Sequence, residues 1–528
     1  MRFASYEFLA FLLVLFPLYY LLPKRWQWGV LLGASYLFYA FAGWECILFI
    51  LFTTLSSYGV ARWMGHRAER ESAYIEANRE QMDKETRKTY KAREKKKRFH
   101  ILLLGLLLNF GILAVLKYTG FVLEGVNGVL HGLGQGGVKV PDLLLPLGIS
   151  FYTFQTMGYL IDVYRAKTTV ERNPARLALF TSFFPQLVQG PISRHSDLAS
   201  ELYRPHLFDR RSFTYGLQRI LWGYFKKLVI ADRILVAMKT LLGDPEAYQG
   251  AYVALLILLY SVEIYADFTG GIDITIGIAE ALGIRLKENF NRPFSSRSTK
   301  EYWNRWHITM GSWFTDYVFY PLSVCKPMMK LSKWSRAHLG TALGKRIPVY
   351  LATIVTWFLT GLWHGAGANF IVWGLLNCLV ILVSQELEPL YTRFRNRFPK
   401  LHGSAGYGKF MAVRTFLLMG LIRSLDCHRD VLLSFRLWGS MLTVWNIGSL
   451  PSGMMDLGLS LADYGIILFG VLVMWAESRL SVKGDVRERL YDRPVLSWTL
   501  CGTLFVLILL LGAYGVGYDA SQFIYDQF

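Results

Sequence analysis

Apolar runs of about the length a helix needs to cross a bilayer recur along the whole chain, separated by short polar segments. Three open it, at roughly 6–22, 28–43 and 45–63, with the basic turn Pro23-Lys24-Arg25 after the first. A polar segment, 66–100, follows and ends Lys95-Lys96-Lys97-Arg98. Its alternating charges predict an exposed helix lying along a membrane surface. A fourth run, about 101–117, leads to a Gly-rich loop from Gly132 to Gly137. The next run, 143–164, contains Pro146-Leu147-Gly148 and predicts a broken or tilted helix. Residues 177–192 are apolar but short, interrupted by Pro185 and Gly190-Pro191 and flanked on both sides by arginine, which predicts a re-entrant hairpin. Later runs fall near 251–265, 347–362, 367–384, 408–424, 462–476 and 496–514. The pattern predicts an all-α polytopic membrane protein with about eleven spans plus re-entrant and interfacial helices around a hollow interior.

Composition agrees: of 528 residues 53% are hydrophobic and only 18% charged. The net charge of +19 would suggest nucleic acid in a soluble protein, but in a membrane protein basic residues gather at span ends and cytoplasmic loops. Nucleic-acid binding is therefore not expected, and the lipid bilayer is the first partner. The basic turn after the first run and the basic 66–100 segment both point to the cytoplasm, so the N-terminus is expected outside, with the first run retained as a span. Five cysteines without a CxxC pair give no disulfide framework or zinc site. The absence of an internal repeat argues against a transporter of inverted halves.

Candidate chemistry is concentrated in a few places. Asp267 and Asp273 follow the 251–265 run, where a role in orienting a histidine competes with pairing to a cation. Between 287 and 321 the chain is polar and aromatic, and on a helical wheel Trp303, Trp306, His307, Met310, Phe314 and Tyr317 share one face, predicting an interfacial amphipathic helix over 296–320. Thr360-Gly361-Leu362-Trp363-His364-Gly365-Ala366-Gly367 sits between two strongly apolar runs, and its glycines suggest close helix packing or a kink. Of ten histidines, only His307 and His364 are embedded in aromatic and apolar surroundings. A histidine in a dry site stays neutral near pH 7 and can accept a proton from a hydroxyl nucleophile, which is the chemistry of acyl transfer to an alcohol. There is no G-x-S-x-G elbow, no H-E-x-x-H and no P-loop.

Six motifs in order carry a resemblance: Pro146-Leu-Gly-Ile-Ser-Phe-Tyr-Thr-Phe, Gln189-Gly-Pro-Ile, Asp267-Phe-Thr-Gly, Glu288-Asn-Phe-Asn-Arg-Pro-Phe, Arg305-Trp-His-Ile and Leu362-Trp-His-Gly. Together they resemble the membrane-bound O-acyltransferase family, and within it the bacterial branch containing alginate O-acetyltransferases and the D-alanyl transferases of teichoic acid. The resemblance is strong over about 140–380 and loose before it. It implies that His364 is the catalytic base, assisted by His307, in a central tunnel. Trp306, Trp363, Asp267, Asn291 and Arg305 become candidate substrate or tunnel-lining residues. Two departures are Pro321-Leu322-Ser323-Val324-Cys325, where the branch often has Pro-Leu-Gly-Gly, and Thr269-Gly270-Gly271, where it has Ser-Gly-Tyr.

The resulting expectation has three segments: N-terminal spans over 1–140, an acyltransferase core over 141–385, and additional C-terminal spans over 386–528. The activity expected is transfer of an acyl group, acetyl in the first instance, from a cytoplasmic-side donor to hydroxyls of an extracytoplasmic polysaccharide, at the bacterial cytoplasmic membrane. Transfer is direct or through a secreted SGNH-type partner. The donor is acetyl-CoA or an acyl-carrier thioester acting as substrate, with no bound cofactor and no metal. D-alanyl transfer to teichoic acid from a carrier protein, and a non-catalytic transporter, are the alternative readings.

Overall fold

Among the described residues, seven helices are long and apolar enough to cross a membrane: Trp44–Ala77, Lys84–Gly132, Ala251–Ala281, Lys326–His364, Ala368–Glu386, Leu461–Leu480 and Pro494–Leu511. They belong to a computed structural model that describes Met1 and residues 3–514, and among these residues every regular element is helical. The protein is an all-α integral membrane protein. Several other apolar runs form helices too short or too charged for that group: Tyr6–Leu21, Gln27–Ala40, Ile149–Tyr164 and Ala405–Arg423. The chain divides into two compact units, one of residues 1–213 with 278–286, the other of 214–277 with 287–528.

In the first unit, the basic 66–100 segment departs from the surface helix expected of it. The Trp44–Ala77 helix runs on through its first part, a turn follows, and Asp83 caps a 49-residue helix, Lys84–Gly132, by accepting from Thr86 N at 2.9 Å. At about 1.5 Å per residue this helix is about 74 Å long, far more than a bilayer core. The alternating charges pair across the hairpin, Arg67 with Glu94 at 3.3 Å and Arg98 with Glu71, while the Tyr74 and Tyr90 rings stack 4.7 Å apart. Those cross-pairs hold the segment as a pair of helices.

The 143–164 run is also not one broken helix: helix starts only at Ile149, after Gly148 in the left-handed region at φ 68°. A side chain at Gly148 would lie 2.2 Å from the Leu187 carbonyl oxygen. The 177–192 run forms two short buried helices, Pro174–Ser182 and Phe184–Gln189, neither long enough to span. Gln155 Nε2 donates to Phe180 O at 2.9 Å, and Phe184 N donates to Ser35 Oγ at 3.2 Å, which satisfies backbone freed at their junction.

The second unit is built on two close helix crossings. In the first, Gly216 and Gly223 of Arg210–Tyr224 meet Gly277 and Gly270 of the long Ala251–Ala281 helix, so near that a Cβ on Gly223 would lie 2.6 Å from Gly270 O. A π-turn, Phe225–Ala231, follows and directs Lys226 and Lys227 at the facing helix. Lys227 Nζ lies 2.6 Å from Asp267 and 2.7 Å from Asp232, and Arg219 lies 2.9 Å from Asp273. In the second, Lys326–His364, kinked at Gly340, returns as Ala368–Glu386. Here a Cβ on Gly374 would sit 2.4 Å from Trp357 O, and one on Gly361 2.4 Å from Phe370 O. Gly365 is packed as closely, a Cβ there lying 2.1 Å from the Phe370 ring, in keeping with the packing role expected of the Gly365-Ala366-Gly367 turn.

Because the atoms facing Gly374 are backbone, they cannot move aside. Gly374→Ala is expected to destabilise the full-length protein by about 1–3 kcal/mol, read as a lowered thermal midpoint in detergent; an unchanged midpoint would contradict this packing.

Candidate active site

His364 is the last residue of its helix, whose end is closed by Gly365 N donating to Gly361 O at 3.3 Å. The chain turns through Gly365-Ala366-Gly367, and the returning helix brings Trp373 edge-on to the His364 imidazole, with centroids 4.6 Å apart. Trp363 also meets it edge-on, at 5.1 Å. The same indole meets the His307 ring edge-on at 5.7 Å, so Trp363 touches both imidazoles. Both histidines are buried, His307 completely and His364 to 8% exposure.

His307 does not lie on one amphipathic helix, as the wheel over 296–320 predicted. The helix stops at Trp303 and a new one runs Ile308–Phe314, with His307 between them in the left-handed region at φ 49°, ψ 51°. The cause is the crossing 287–293 segment. Its Asn289 accepts Ile308 N through its backbone oxygen at 3.0 Å and both Thr309 N and Thr309 Oγ1 through its side chain, at 3.0 and 2.9 Å. An outside strand of chain thus takes the donors that a continuous helix would have used. The break costs backbone strain and aims the imidazole at Phe268 (4.9 Å) and Trp363.

Trp306 is buried in an aromatic shell: Tyr302 stacks on it at 5.6 Å and Phe290 meets it edge-on at 5.0 Å. Over its face lies the Arg423 guanidinium, with Cζ 4.4 Å from the ring centroid. Arg423 is 4% exposed, and its Cζ is 5.9 Å from the Trp373 centroid. One guanidinium therefore joins the aromatic wall of His307 to that of His364. Burial, aided by the Arg423 charge, pushes the His307 imidazolium down to about 3, so the ring is neutral across the physiological range.

The remaining candidates divide. Trp363 and Trp306 belong to this cluster. Asp267 is buried and paired with Lys227, the structural use that competed with a catalytic one. Asn291 and Arg305 serve their own turn: Asn291 N donates to Arg305 O at 2.9 Å, and Arg305 pairs with Glu301 at 2.7 Å. Sequence reasoning missed Arg423 and Trp373. The signal for Arg423 was a cation at the end of the apolar stretch that closes the 408–424 run; Trp373 gave none beyond being an aromatic in a span.

The family model for MBOAT, the membrane-bound O-acyltransferase family, matches residues 170–424, which include both histidines, Trp373 and Arg423. A probable alginate O-acetylase AlgI of Azotobacter vinelandii is 34% identical over 395 residues, 74% of this chain and 69% of that one. The chain belongs to the membrane-bound O-acyltransferase family. It is an acyltransferase. A second AlgI, from Pseudomonas putida, is 30% identical over 545 residues and the whole length of both chains, so the C-terminal helices are shared. A peptidoglycan O-acetyltransferase of Helicobacter pylori is 31% identical over 328 residues, 57% of this chain and 58% of that one.

The depressed His307 value has a consequence for stability. The unfolded chain takes up a proton near the ordinary value of 6.5, whereas the folded one resists until about 3, so this group's contribution is complete above 6.5 and is lost as pH falls toward 3. His307→Gln should flatten the fall in stability through that window, by at most about 1.4 kcal/mol per pH unit. Unfolding midpoints of both proteins at several pH values test this; parallel slopes would contradict a neutral buried imidazole.

Proposed function

We propose that this acyltransferase moves an acetyl group from a cytoplasmic-side thioester to hydroxyls of an extracytoplasmic polysaccharide, with His364 as general base and His307 as its assistant. The observation that carries the reading is that two buried imidazoles contact the same indole, Trp363, within an aromatic shell. In such a shell the neutral form of histidine is favoured and electrostatic interactions are strengthened. His364 would take the proton of the acceptor hydroxyl as its oxygen attacks the thioester carbonyl. A C–O bond forms, the C–S bond breaks, and the proton passes from His364 to the departing thiolate. His307, neutral, would donate its ring N–H toward the carbonyl oxygen as charge develops there. Arg423 acts as a positioning residue, fixing Trp306 and Trp373 and through them both imidazoles.

Acetyl rather than another acyl group is favoured by the likeness to alginate and peptidoglycan O-acetyltransferases. Donor identity, acetyl-CoA or a carrier thioester, and hand-over to a secreted partner belong to the same reading. So do a tunnel open to both sides, residence in the bacterial cytoplasmic membrane and an external N-terminus, supported by the basic 66–100 segment.

His364→Ala should reduce acetyl transfer by at least the 10²–10⁴-fold typical of a positioned base, while His307→Gln reduces it less. Both variants should still insert and fold. The check is mass spectrometry of the surface polymer from cells producing each variant at matched levels. Normal acetylation with His364→Ala would sink the assignment.

A further inference from the structure

A cavity of about 1160 Å³ in the second unit takes no part in the chemistry above. It lies among the helices Ala368–Glu386, Glu388–Arg397 and Ala405–Arg423, with residues 297–300 along one edge. Its wall is apolar, formed by Leu379, Val380, Val383, Met411 and Leu418. Leu379 and Val383 are 54% and 47% exposed on a membrane-length helix, so this wall opens sideways to hydrocarbon. The inner end is closed, because Val380 and Leu418 pack against the cluster of Trp373, Ile422 and Leu425.

The rim is cationic and uncompensated. Arg297, Lys300 and Arg414 line the cavity, and among the described residues no carboxylate pairs with any of their side chains. The nearby acids are occupied: Glu301 by Arg305 at 2.7 Å and by Arg297 N, Glu388 by Arg395 at 2.6 Å. Arg414 Nη2 donates to Arg297 O at 3.1 Å, which ties the rim together. Gly408 is buried against the Arg297 guanidinium, where a Cβ would be 3.1 Å from Cζ, so the bare backbone makes room for that head group. From Leu379 to Gln385 the wall rises about 9 Å, from hydrocarbon to the end of the helix beside the cations.

We propose that this cavity is a binding site for an anionic phospholipid, its phosphate held by Arg297, Lys300 and Arg414 and the upper part of an acyl chain laid on Leu379 and Val383. Basic pockets between membrane helices recognise such head groups. The lateral opening fits a lipid better than a soluble phosphorylated thioester, which would need the inner end open toward His364.

The full-length protein in nanodiscs of mixed phosphatidylglycerol and phosphatidylcholine, followed by native mass spectrometry of retained lipid, tests the proposal. The wild type should retain phosphatidylglycerol preferentially, and each cation removed should weaken retention by about fivefold. R297Q/K300Q/R414Q should therefore abolish the preference while phosphatidylcholine retention stays as it was. If the triple variant does not fold, Arg414→Gln alone should show the fivefold loss. Equal retention of the two lipids by the wild type, or undiminished phosphatidylglycerol in the variants, overturns the proposal. Displacement of phosphatidylglycerol by acetyl-CoA overturns it in favour of a donor site.

Discussion

A single buried guanidinium, Arg423 between the faces of Trp306 and Trp373, is the contact on which the geometry of the candidate site depends. It joins three stretches far apart in sequence: the break at His307, the hairpin after His364, and the end of the Ala405–Arg423 helix. A desolvated cation over an indole gains more than an exposed one, about 2 kcal/mol against 0.5–1. Here two indoles share it. Burial is the main reason His307 stays neutral, and the Arg423 charge adds to it.

A second set of buried charges works differently. Lys227 lies between Asp232 and Asp267, and Arg219 and Lys226 both hold Asp273, all deep in the helix crossing made by Gly223 and Gly270. Such pairs add little net stability against apolar residues of the same volume, but losing one partner strands the other at a cost of about 3–5 kcal/mol. They therefore fix which helices meet and in what register. The π-turn at Phe225–Ala231 lets two consecutive lysines reach two acids six residues apart on the facing helix.

Much of this was readable in the sequence, because the period and length of apolar runs are set by the bilayer and not by distant contacts. The helical class, the hairpin glycines around His364 and the two embedded histidines followed from that. What failed depended on partners far along the chain. The 296–320 helix was inferred from its own periodicity, whereas its break is imposed by Asn289, whose polar side chain replaces helical bonds. The 66–100 segment looked like a surface helix because its charges alternate, but those charges find partners across a hairpin whose turn carries no proline or glycine. Arg423 was one cation among several around that run, and its meaning lay in two tryptophans 50 and 117 residues away.

The central claim is that the buried histidine pair performs group transfer rather than passage of an intact solute. The most direct test uses purified full-length protein in sealed proteoliposomes, with doubly labelled acetyl thioester on one side and a hydroxyl-bearing oligosaccharide on the other. The account predicts that the acetyl label appears as an ester on the oligosaccharide while the thiol label stays with the donor side and the oligosaccharide does not cross. Uptake of intact donor or oligosaccharide without ester formation would contradict it.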